Sequence, residues 1–204
     1  MPLFIVRHAE TEDNARRIFQ VPDVALSGAG RAQAQKLAER IESMGIVRIL
    51  ASDFARTLET AAYLRARTGV AIETEVLLRE RNFGDLRGSS YAALQIDPFA
   101  AEYTPPGGES WAAFHERVDR AWLRIRGAAA ETPGNLLVMT HGLVCRALVE
   151  RQLHLLPDVR LPARWDNTAL TEVDAAPPWT VRRVNCMAHL RDAGLSLNPH
   201  GAAA

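Results

Sequence analysis

Short runs that are almost entirely apolar recur along the chain, separated by longer segments in which apolar residues have a helical spacing. Leu3 to Val6, Ile46 to Ala51 and Leu136 to Met139 are such runs, and residues 70–72 form a shorter one. Continuous apolar runs of this length are typical of strands that are buried on both faces of a parallel sheet. The pattern therefore predicts three buried parallel strands and a shorter fourth.

The segments between these runs predict amphipathic helices that begin after residues able to cap a helix N-terminus. Ser27 precedes a predicted helix over 28–44, and Gly45 is expected to end it. The other predicted helices are, in chain order, one from Ser52 or Asp53 to about Arg67 with Gly69 after it, one that begins after Ser110, and one over 143–153.

Two further apolar segments, 169–173 and 180–184, flank Pro177 and Pro178 and predict an antiparallel strand pair. Because strands and helices otherwise alternate, the sequence predicts an α/β fold, a three-layer α/β/α sandwich with a mainly parallel sheet. We expect a single domain over residues 1–194 with a short cap insertion around 84–110. The tail over 195–204 is expected to be disordered or weakly held.

Polar side chains follow three of the predicted strands at the point where each strand ends. Arg7 and His8 follow the first strand, Arg56 lies one helical turn beyond the second, and His141 follows the third. In open α/β sheets, ligands bind beyond the carboxyl ends of the parallel strands. The sequence therefore predicts that two imidazoles and two guanidinium groups meet at one edge of the sheet.

The charge balance and the two cysteines exclude several classes of function. Basic and acidic residues are equal at 24 each, which argues against a nonspecific grip on nucleic acid or an anionic membrane. The cysteines Cys145 and Cys186 are far apart in sequence, so a disulfide framework or a cysteine zinc site is not expected. With no signal peptide pattern and no apolar run long enough for a membrane span, we expect a cytoplasmic protein.

Several short motifs resemble those of the histidine phosphatase superfamily, branch 1, which contains the cofactor-dependent phosphoglycerate mutases. They occur in the family's order and span residues 3 to about 174. The matching motifs are Arg7-His8-Ala9-Glu10-Thr11 with Asn14, Leu26-Ser27 with Gly30 and Gln33-Ala34, Ser52-Asp53-Phe54-Ala55-Arg56-Thr57, Leu78-Arg79-Glu80-Arg81-Asn82-Phe83-Gly84-Asp85-Leu86 with Gly88, Pro106-Gly107-Gly108-Glu109-Ser110, Thr140-His141-Gly142 and Asn167-Thr168.

The resemblance implies a phosphoglycerate mutase-like fold and a set of catalytic roles. His8 would be the nucleophile that becomes phosphohistidine, and Glu80 would be the general acid for the leaving oxygen. Arg7, Arg56 and His141 would hold the phosphoryl oxygens. No cofactor and no metal ligand are expected.

The resemblance also implies a substrate-binding set in which Asn14, Gln20 and Gly142 join Arg7, Arg56 and His141. Two positions in this region depart from the family. Ala9 stands where relatives often have glycine after the nucleophilic histidine, and Gln20 stands in a loop where many relatives have glycine. Neither change removes a catalytic group, but Gln20 could reshape the contact between backbone and phosphate.

These residue types suit phosphoryl transfer because its transition state carries negative charge on three equatorial oxygens. The sequence shows no convincing carboxylate cluster for Mg²⁺, so two arginines and a protonated His141 are expected to supply the positive charge. His8 must be neutral to attack, which neighbouring Arg7 and Arg56 favour. Glu80 must instead keep a proton near neutral pH.

We therefore expect a metal-independent phosphatase that acts on a small phosphorylated metabolite. A mutase needs extra cationic side chains over its site, whereas the segment from Gly84 to Ser110 has Arg87 as its single basic residue and several aromatic ones. This composition favours a less charged or bulkier ester.

Other interpretations stay open at this point. They are a cofactor-dependent phosphoglycerate mutase, a regulatory module that binds phosphate or phosphoproteins with little turnover, and a zinc hydrolase that uses His8, Glu80 and His141. The sequence identifies neither the natural substrate nor the oligomeric state, although a homodimer is possible.

Overall fold

The computed structural model describes residues 2–191, whose strands form one mixed sheet. The strands are, in chain order, β1 (Pro2–Arg7), β2 (Ile46–Ala51), β3 (Ile72–Thr74), β4 (Asn135–Thr140), β5 (His154–Leu155), β6 (Leu170–Asp174) and β7 (Thr180–Cys186). Their order across the sheet is β3-β2-β4-β1-β6-β7-β5. The strands from β3 to β1 run parallel to their neighbours, whereas β6 pairs antiparallel with both β1 and β7. The predicted mainly parallel sheet and the antiparallel pair near the carboxyl end are both confirmed.

Helices cover both faces of this sheet. They are α1 (Glu12–Arg16), α2 (Gly28–Ile41), α3 (Ala55–Thr68), α4 (Trp111–Glu131), α5 (Gly142–Gln152) and α6 (Ala188–Arg191). Alternate residues of β1 point to opposite layers, since Leu3 and Ile5 pack with α4 and α5 while Phe4 and Val6 pack with α2 and α3. The three-layer α/β/α sandwich predicted from the sequence is therefore confirmed.

Two helix starts agree with the predicted caps, and one helix is shorter than predicted. The Ser27 hydroxyl accepts a hydrogen bond from the Gly30 N–H, and the Ser110 hydroxyl accepts one from the Ala113 N–H. Helix α2 ends at Ile41 instead of continuing to residue 44. The chain leaves the helix through a turn that ends at Gly45, whose φ of 60° favours glycine.

The start of α3 differs from the prediction that Ser52 or Asp53 caps it. The N-cap residue is Phe54, which makes no capping hydrogen bond through its side chain. Ser52 and Asp53 are engaged elsewhere, because the Ser52 hydroxyl contacts His141 and the Asp53 carboxylate accepts hydrogen bonds from Arg79. The cap prediction was therefore wrong, although Gly69 ends the helix in a left-handed conformation as expected.

Three short elements differ from the sequence pattern or were not predicted. Strand β3 occupies 72–74 instead of 70–72, since its pairing with β2 begins where Ile72 lies opposite Ile49. Helix α1 was not predicted, and Thr11 and Asn14 form a capping box at its start. The two-residue strand β5 was also not predicted, and it is defined by pairing with β7.

The segment over 84–110 lies across the carboxyl ends of the strands and is fastened to the loop over 17–20. The Gly88 N–H donates to the Phe19 carbonyl at 2.7 Å, and the Phe19 N–H donates to the Ser89 carbonyl at 3.0 Å. Beneath the segment, the fully buried Arg81 donates to the carbonyls of Pro98, Tyr103 and Glu109. These bonds hold a segment that has only one-turn 3₁₀ helices of its own.

Within residues 2–191, no helix combines the length and apolar character that crossing a membrane requires. Residues 192–204, including the tail predicted over 195–204, lie outside the described residues.

The close packing of α2 against the loop after His8 generates a stability prediction. A Cβ added at Gly30 would lie 1.9 Å from the Glu10 carbonyl oxygen, whereas one at Gly28 would meet nothing within 4 Å. Gly30→Ala is expected to lower the free energy of unfolding by about 1–3 kcal/mol, since the helix and the loop must move apart. Gly28→Ala, in the same helix turn, is the matched control and should leave stability unchanged or raise it slightly. Denaturant unfolding measures both, and equal stabilities would contradict the packing.

Candidate active site

His8 lies at the carboxyl end of β1 and is almost fully buried, at 1% exposure. Its backbone N–H donates a hydrogen bond to the Thr140 carbonyl at 2.9 Å, and this bond joins the end of β1 to the end of β4. The ring Nδ1 lies 2.7 Å from the Ala9 carbonyl oxygen, so Nδ1 carries the proton and donates it. The lone pair of the neutral ring is therefore on Nε2.

Arg56 projects from the first turn of α3 and lies between the two histidines. Its Nε donates to His8 Nε2 at 3.3 Å, one Nη contacts His141 Nδ1 at 3.1 Å, and the other donates to the Val21 carbonyl at 3.2 Å. The guanidinium group is buried and stacks on the Phe54 ring, 5.0 Å from its centroid. Burial lowers the pKa of Arg56 to about 10, which leaves it positively charged at neutral pH.

His141 follows β4 and is the N-cap residue of α5. Because a guanidinium group can only donate, the contact with Arg56 makes His141 Nδ1 an acceptor. The other ring nitrogen, Nε2, lies 2.9 Å from the Ser52 hydroxyl and carries the proton. The protonated His141 expected from the sequence is therefore wrong for this state of the site, and the ring is neutral.

Burial and nearby cations keep both imidazoles neutral. Burial lowers the pKa of His8 well below its ordinary value, and Arg56 and Arg7 act in the same direction. Burial likewise lowers the pKa of His141, with Arg56 the next contributor. The ring centroids lie 5.2 Å apart in an edge-to-face arrangement.

Arg7 completes the cationic cluster from the last residue of β1. One Nη donates to the Trp165 carbonyl, and its buried Nε has no hydrogen-bond partner among the described residues. The side chain lies against Gly142, where an added Cβ would be 3.5 Å from Arg7 Nε. Gly142 begins α5 and also lines the pocket, so the N-terminus of this helix lies at the pocket wall.

Glu80 also lines the pocket and is held by backbone donors. Its two carboxylate oxygens accept hydrogen bonds from the Arg81 N–H at 3.0 Å and the Leu143 N–H at 3.3 Å. Burial raises the pKa of Glu80, and the two N–H groups, Arg56 and Arg7 oppose that rise. A carboxyl group with a raised pKa beside a nucleophile can act as a proton donor.

Asn14 and Gln20 line the pocket, and both are also tied to the loop around Thr11. The Asn14 side-chain oxygen accepts from the Thr11 N–H at 3.2 Å and from the Asn167 amide at 3.3 Å. The Gln20 side-chain oxygen accepts from the Thr11 hydroxyl at 2.7 Å. In both side chains the amide NH₂ group is the part left to donate to a ligand.

The loop after His8 is held by residues for which the sequence suggested no role. The Ala9 N–H donates to the Thr60 hydroxyl at 3.0 Å, and the Asn167 amide donates to the His8 carbonyl at 2.9 Å. Asn167 belongs to a motif that resembles the family, whereas Thr60 lies in the middle of α3 and nothing in the sequence distinguishes it from an ordinary surface threonine. Both fix the backbone that aims the His8 ring.

Four arginines beyond Arg7 and Arg56 line the pocket and were not predicted as site residues, namely Arg17, Arg81, Arg87 and Arg164. Arg164 forms an ion pair with Asp166 at 3.0 Å. Tyr91 and Phe99 line the aromatic side of the rim, and burial raises the pKa of Tyr91 to about 12. The rim is therefore more cationic than the composition of the cap segment suggested.

The structure thus brings Arg7, His8, Arg56 and Glu80 into one pocket at the carboxyl edge of the sheet. His141 is fully buried and contacts Arg56, but it is not among the residues that line the pocket. Over residues 2–191, no group of three or more His, Cys, Asp or Glu side chains is arranged to hold a metal ion. Chemically, the pocket combines a neutral imidazole with a lone pair on Nε2, fixed cationic donors and a carboxyl group with a raised pKa.

Comparison with known proteins gives relatives along nearly the whole chain. Over 207 residues it is 34% identical to phosphoglycerate mutase-like protein 4 of Arabidopsis thaliana, covering 94% of this chain and 88% of that protein. It is 32% identical to a probable phosphoglycerate mutase, GpmB, of Proteus mirabilis, covering 96% and 97%.

A solved structure of a mycobacterial glucosyl-3-phosphoglycerate phosphatase in complex with VO₃ is similar as well. It has a TM-score of 0.76 and 26% sequence identity, and the match covers 91% of this chain and 99% of that one. The sequence model of the histidine phosphatase superfamily (branch 1) matches residues 3–186. The chain therefore belongs to branch 1 of the histidine phosphatase superfamily.

Proposed function

We propose that the chain is a phosphatase that hydrolyses a small phosphate monoester through a phosphohistidine on His8, without a metal ion. The observation that carries this proposal is the position of Arg56 between His8 Nε2 and His141 Nδ1, at 3.3 Å and 3.1 Å. This guanidinium group fixes the two imidazoles and supplies positive charge where a phosphoryl group would transfer.

In the first step, His8 Nε2 forms a bond to phosphorus as the bond from phosphorus to the ester oxygen breaks. The hydrogen bond from His8 Nδ1 to the Ala9 carbonyl favours this reaction, because it leaves the lone pair on Nε2. Arg7, Arg56 and the N-terminus of α5 would stabilise the charge on the phosphoryl oxygens. Glu80 would give its proton to the departing oxygen.

In the second step, water attacks phosphorus and the bond to His8 Nε2 breaks. The carboxylate left at Glu80 can accept a proton from that water, which restores the acid for the next cycle. The lowered pKa of His8 favours its departure as a neutral imidazole. The products are an alcohol and inorganic phosphate.

Two alternatives share the same pocket. A phosphoglycerate mutase would return the phosphoryl group to the glycerate, and the relatives with mutase names support that reading. Incubation with 2-phosphoglycerate and 2,3-bisphosphoglycerate separates the two, since a mutase yields 3-phosphoglycerate whereas a phosphatase yields inorganic phosphate. A regulatory module would bind the phosphorylated compound but would not hydrolyse it to inorganic phosphate.

The central experiment measures phosphate release from a panel of phosphorylated metabolites with excess chelator. His8→Ala is expected to lower turnover by about 10⁴-fold or more, the scale on which loss of a covalent nucleophile acts. Wild-type protein quenched during turnover should carry phosphate that is stable in base and labile in acid. His154→Ala, which changes an exposed histidine on β5, is the matched control and should keep both signals. Turnover that survives in His8→Ala, or that needs added zinc, would overturn the proposal.

The role of Glu80 gives a pH-dependent prediction. The carboxyl group donates only while protonated, so kcat/KM should fall as the pH rises through its raised pKa. Glu80→Gln cannot donate, and should lose both this alkaline limb and about 10²- to 10⁴-fold in kcat for an alkyl phosphate. The loss should be much smaller for p-nitrophenyl phosphate, whose leaving group needs no proton.

The phosphate group of the substrate also titrates and contributes to the pH dependence of kcat/KM. This contribution cancels when Glu80→Gln and wild-type protein are compared on the same substrate. Glu102→Gln, an exposed residue of the cap segment, is the control for removing one carboxylate. Equal losses on the alkyl and the p-nitrophenyl ester would rule out proton donation by Glu80.

A further inference from the structure

Over residues 2–191, two buried side-chain nitrogen atoms are left without a hydrogen-bond partner, Arg7 Nε and Trp165 Nε1. They belong to residues in contact, because one Nη of Arg7 donates to the Trp165 carbonyl. Both residues also line the active-site pocket. Buried polar atoms in folded proteins almost always have a partner, so two exceptions that coincide at one pocket point to a ligand.

Trp165 lies in the loop between β5 and β6, and its side chain has no role in the chemistry described above. The residue is 4% exposed. An indole N–H can only donate, so the partner that it lacks is an acceptor. Because a buried donor without an acceptor destabilises a folded protein, a ligand oxygen that accepts this bond gains the full value of the interaction.

The loop that carries Trp165 is attached to two strands of the sheet. Asp166 exchanges two hydrogen bonds with the side chain of Asn185 in β7, at 2.9 Å and 2.8 Å. The Thr168 N–H donates to the carbonyl of Arg7, the last residue of β1, at 3.1 Å. The backbone of Trp165 is therefore fixed, and a preorganised donor binds a ligand without the cost of ordering a loop.

Carboxylates close to Arg7 do not satisfy the two nitrogen atoms. Burial lowers the pKa of Arg7, and the charges of Glu80 and Asp166 oppose that change. Glu80 accepts hydrogen bonds from two backbone N–H groups instead, and Asp166 forms its ion pair with Arg164. A ligand oxygen is therefore the acceptor that Arg7 and Trp165 both fit, and the positive charge of Arg7 favours an anionic one.

Taking the proposed phosphatase function as its basis, we propose that the indole N–H of Trp165 is a further donor to the transferring phosphoryl group. It donates to one phosphoryl oxygen beside Arg7, while the phosphorus atom lies at His8 Nε2. The arginines of the site balance the charge of the group, and the neutral indole adds a directional hydrogen bond without adding charge.

Trp165→Phe tests this donor, because it removes the N–H and keeps an aromatic ring. Its affinity for vanadate, which mimics the phosphoryl group, should fall by about 10- to 100-fold, the scale of one hydrogen bond to a charged group. The kcat/KM for any ester that the protein hydrolyses should fall by a similar factor. Trp122→Phe is the matched control and should keep both values, since Trp122 is also 4% exposed but does not line the pocket.

Nitrogen–proton NMR of the indole groups observes the same bond in wild-type protein. The chain has 4 tryptophans, so four indole signals are expected. Phe variants of Trp111, Trp122 and Trp179 identify three of them, and the fourth belongs to Trp165 even if Trp165→Phe does not fold. Saturating vanadate should move the Trp165 indole proton downfield and slow its exchange with water, and should leave the signals of Trp122 and Trp179 in place.

The two measurements must agree for the donor to stand. The proposal holds if the Trp165 signal moves downfield and Trp165→Phe, where it folds, binds vanadate more weakly than Trp122→Phe does. It is overturned if the signal stays in place at saturating vanadate, which would mean that the N–H has another acceptor such as water. Equal affinities of Trp165→Phe and Trp122→Phe, or no binding of vanadate by wild-type protein, would overturn it as well.

The NMR titration also separates this proposal from the proposed function, because it needs binding and no turnover. If wild-type protein hydrolyses no ester but vanadate moves the Trp165 signal, the phosphatase proposal fails and the donor stands. If hydrolysis depends on His8 but the Trp165 signal does not respond, the phosphatase proposal stands and the donor is refuted.

Discussion

The site depends on one buried cation, the guanidinium group of Arg56. A buried cation is costly unless each of its donors finds an acceptor. Here the acceptors are His8 Nε2, His141 Nδ1 and the Val21 carbonyl. The first two can accept only while both imidazoles are neutral. Satisfying Arg56 therefore also leaves on His8 the lone pair that the proposed nucleophilic attack requires.

The fold meets this requirement by bringing distant segments to one sheet edge. Arg7 and His8 end β1, His141 follows β4 and Arg56 starts α3 after β2, three strands that are neighbours in the sheet. The proton positions are then set by one partner for each ring, the Ala9 carbonyl for His8 and the Ser52 hydroxyl for His141. A cluster of fixed cations beside neutral rings is suited to stabilising negative charge.

The sequence predicted those parts of the site whose position is set by the ends of the buried strands. A polar residue at the end of a buried parallel strand must appear at the carboxyl edge, so the meeting of His8, Arg56 and His141 followed from the pattern. The neutral state of His141 was missed because it depends on which way Arg56 points, and sequence carries no such information. Ser52 was taken for a helix cap because serine suits that position, whereas its hydroxyl serves His141 instead.

The arginines at the rim of the pocket were not predicted from the sequence, for a different reason. Arg17 and Arg87 lie in segments without helical or strand periodicity, and they reach one wall only because residues 17–19 pair with 88–91. Pairing between two irregular segments has no recognisable pattern in the amino-acid sequence. The number of basic residues in the segment over 84–110 therefore underestimated the positive charge of the pocket, to which Arg17 also contributes. Arg81 is the opposite case, since a residue in a charged run proved fully buried, where it bonds three carbonyls of the chain around it.

The neutrality of the two imidazoles can be tested directly by nitrogen NMR of protein with ¹⁵N-labelled histidine, free of phosphate, at about pH 5.5. An ordinary histidine, with a pKa near ~6.5, is mostly doubly protonated there. We expect that His8 and His141, with signals assigned by substitution of each residue, still show one protonated and one unprotonated ring nitrogen. Two fully protonated rings at that pH would contradict it.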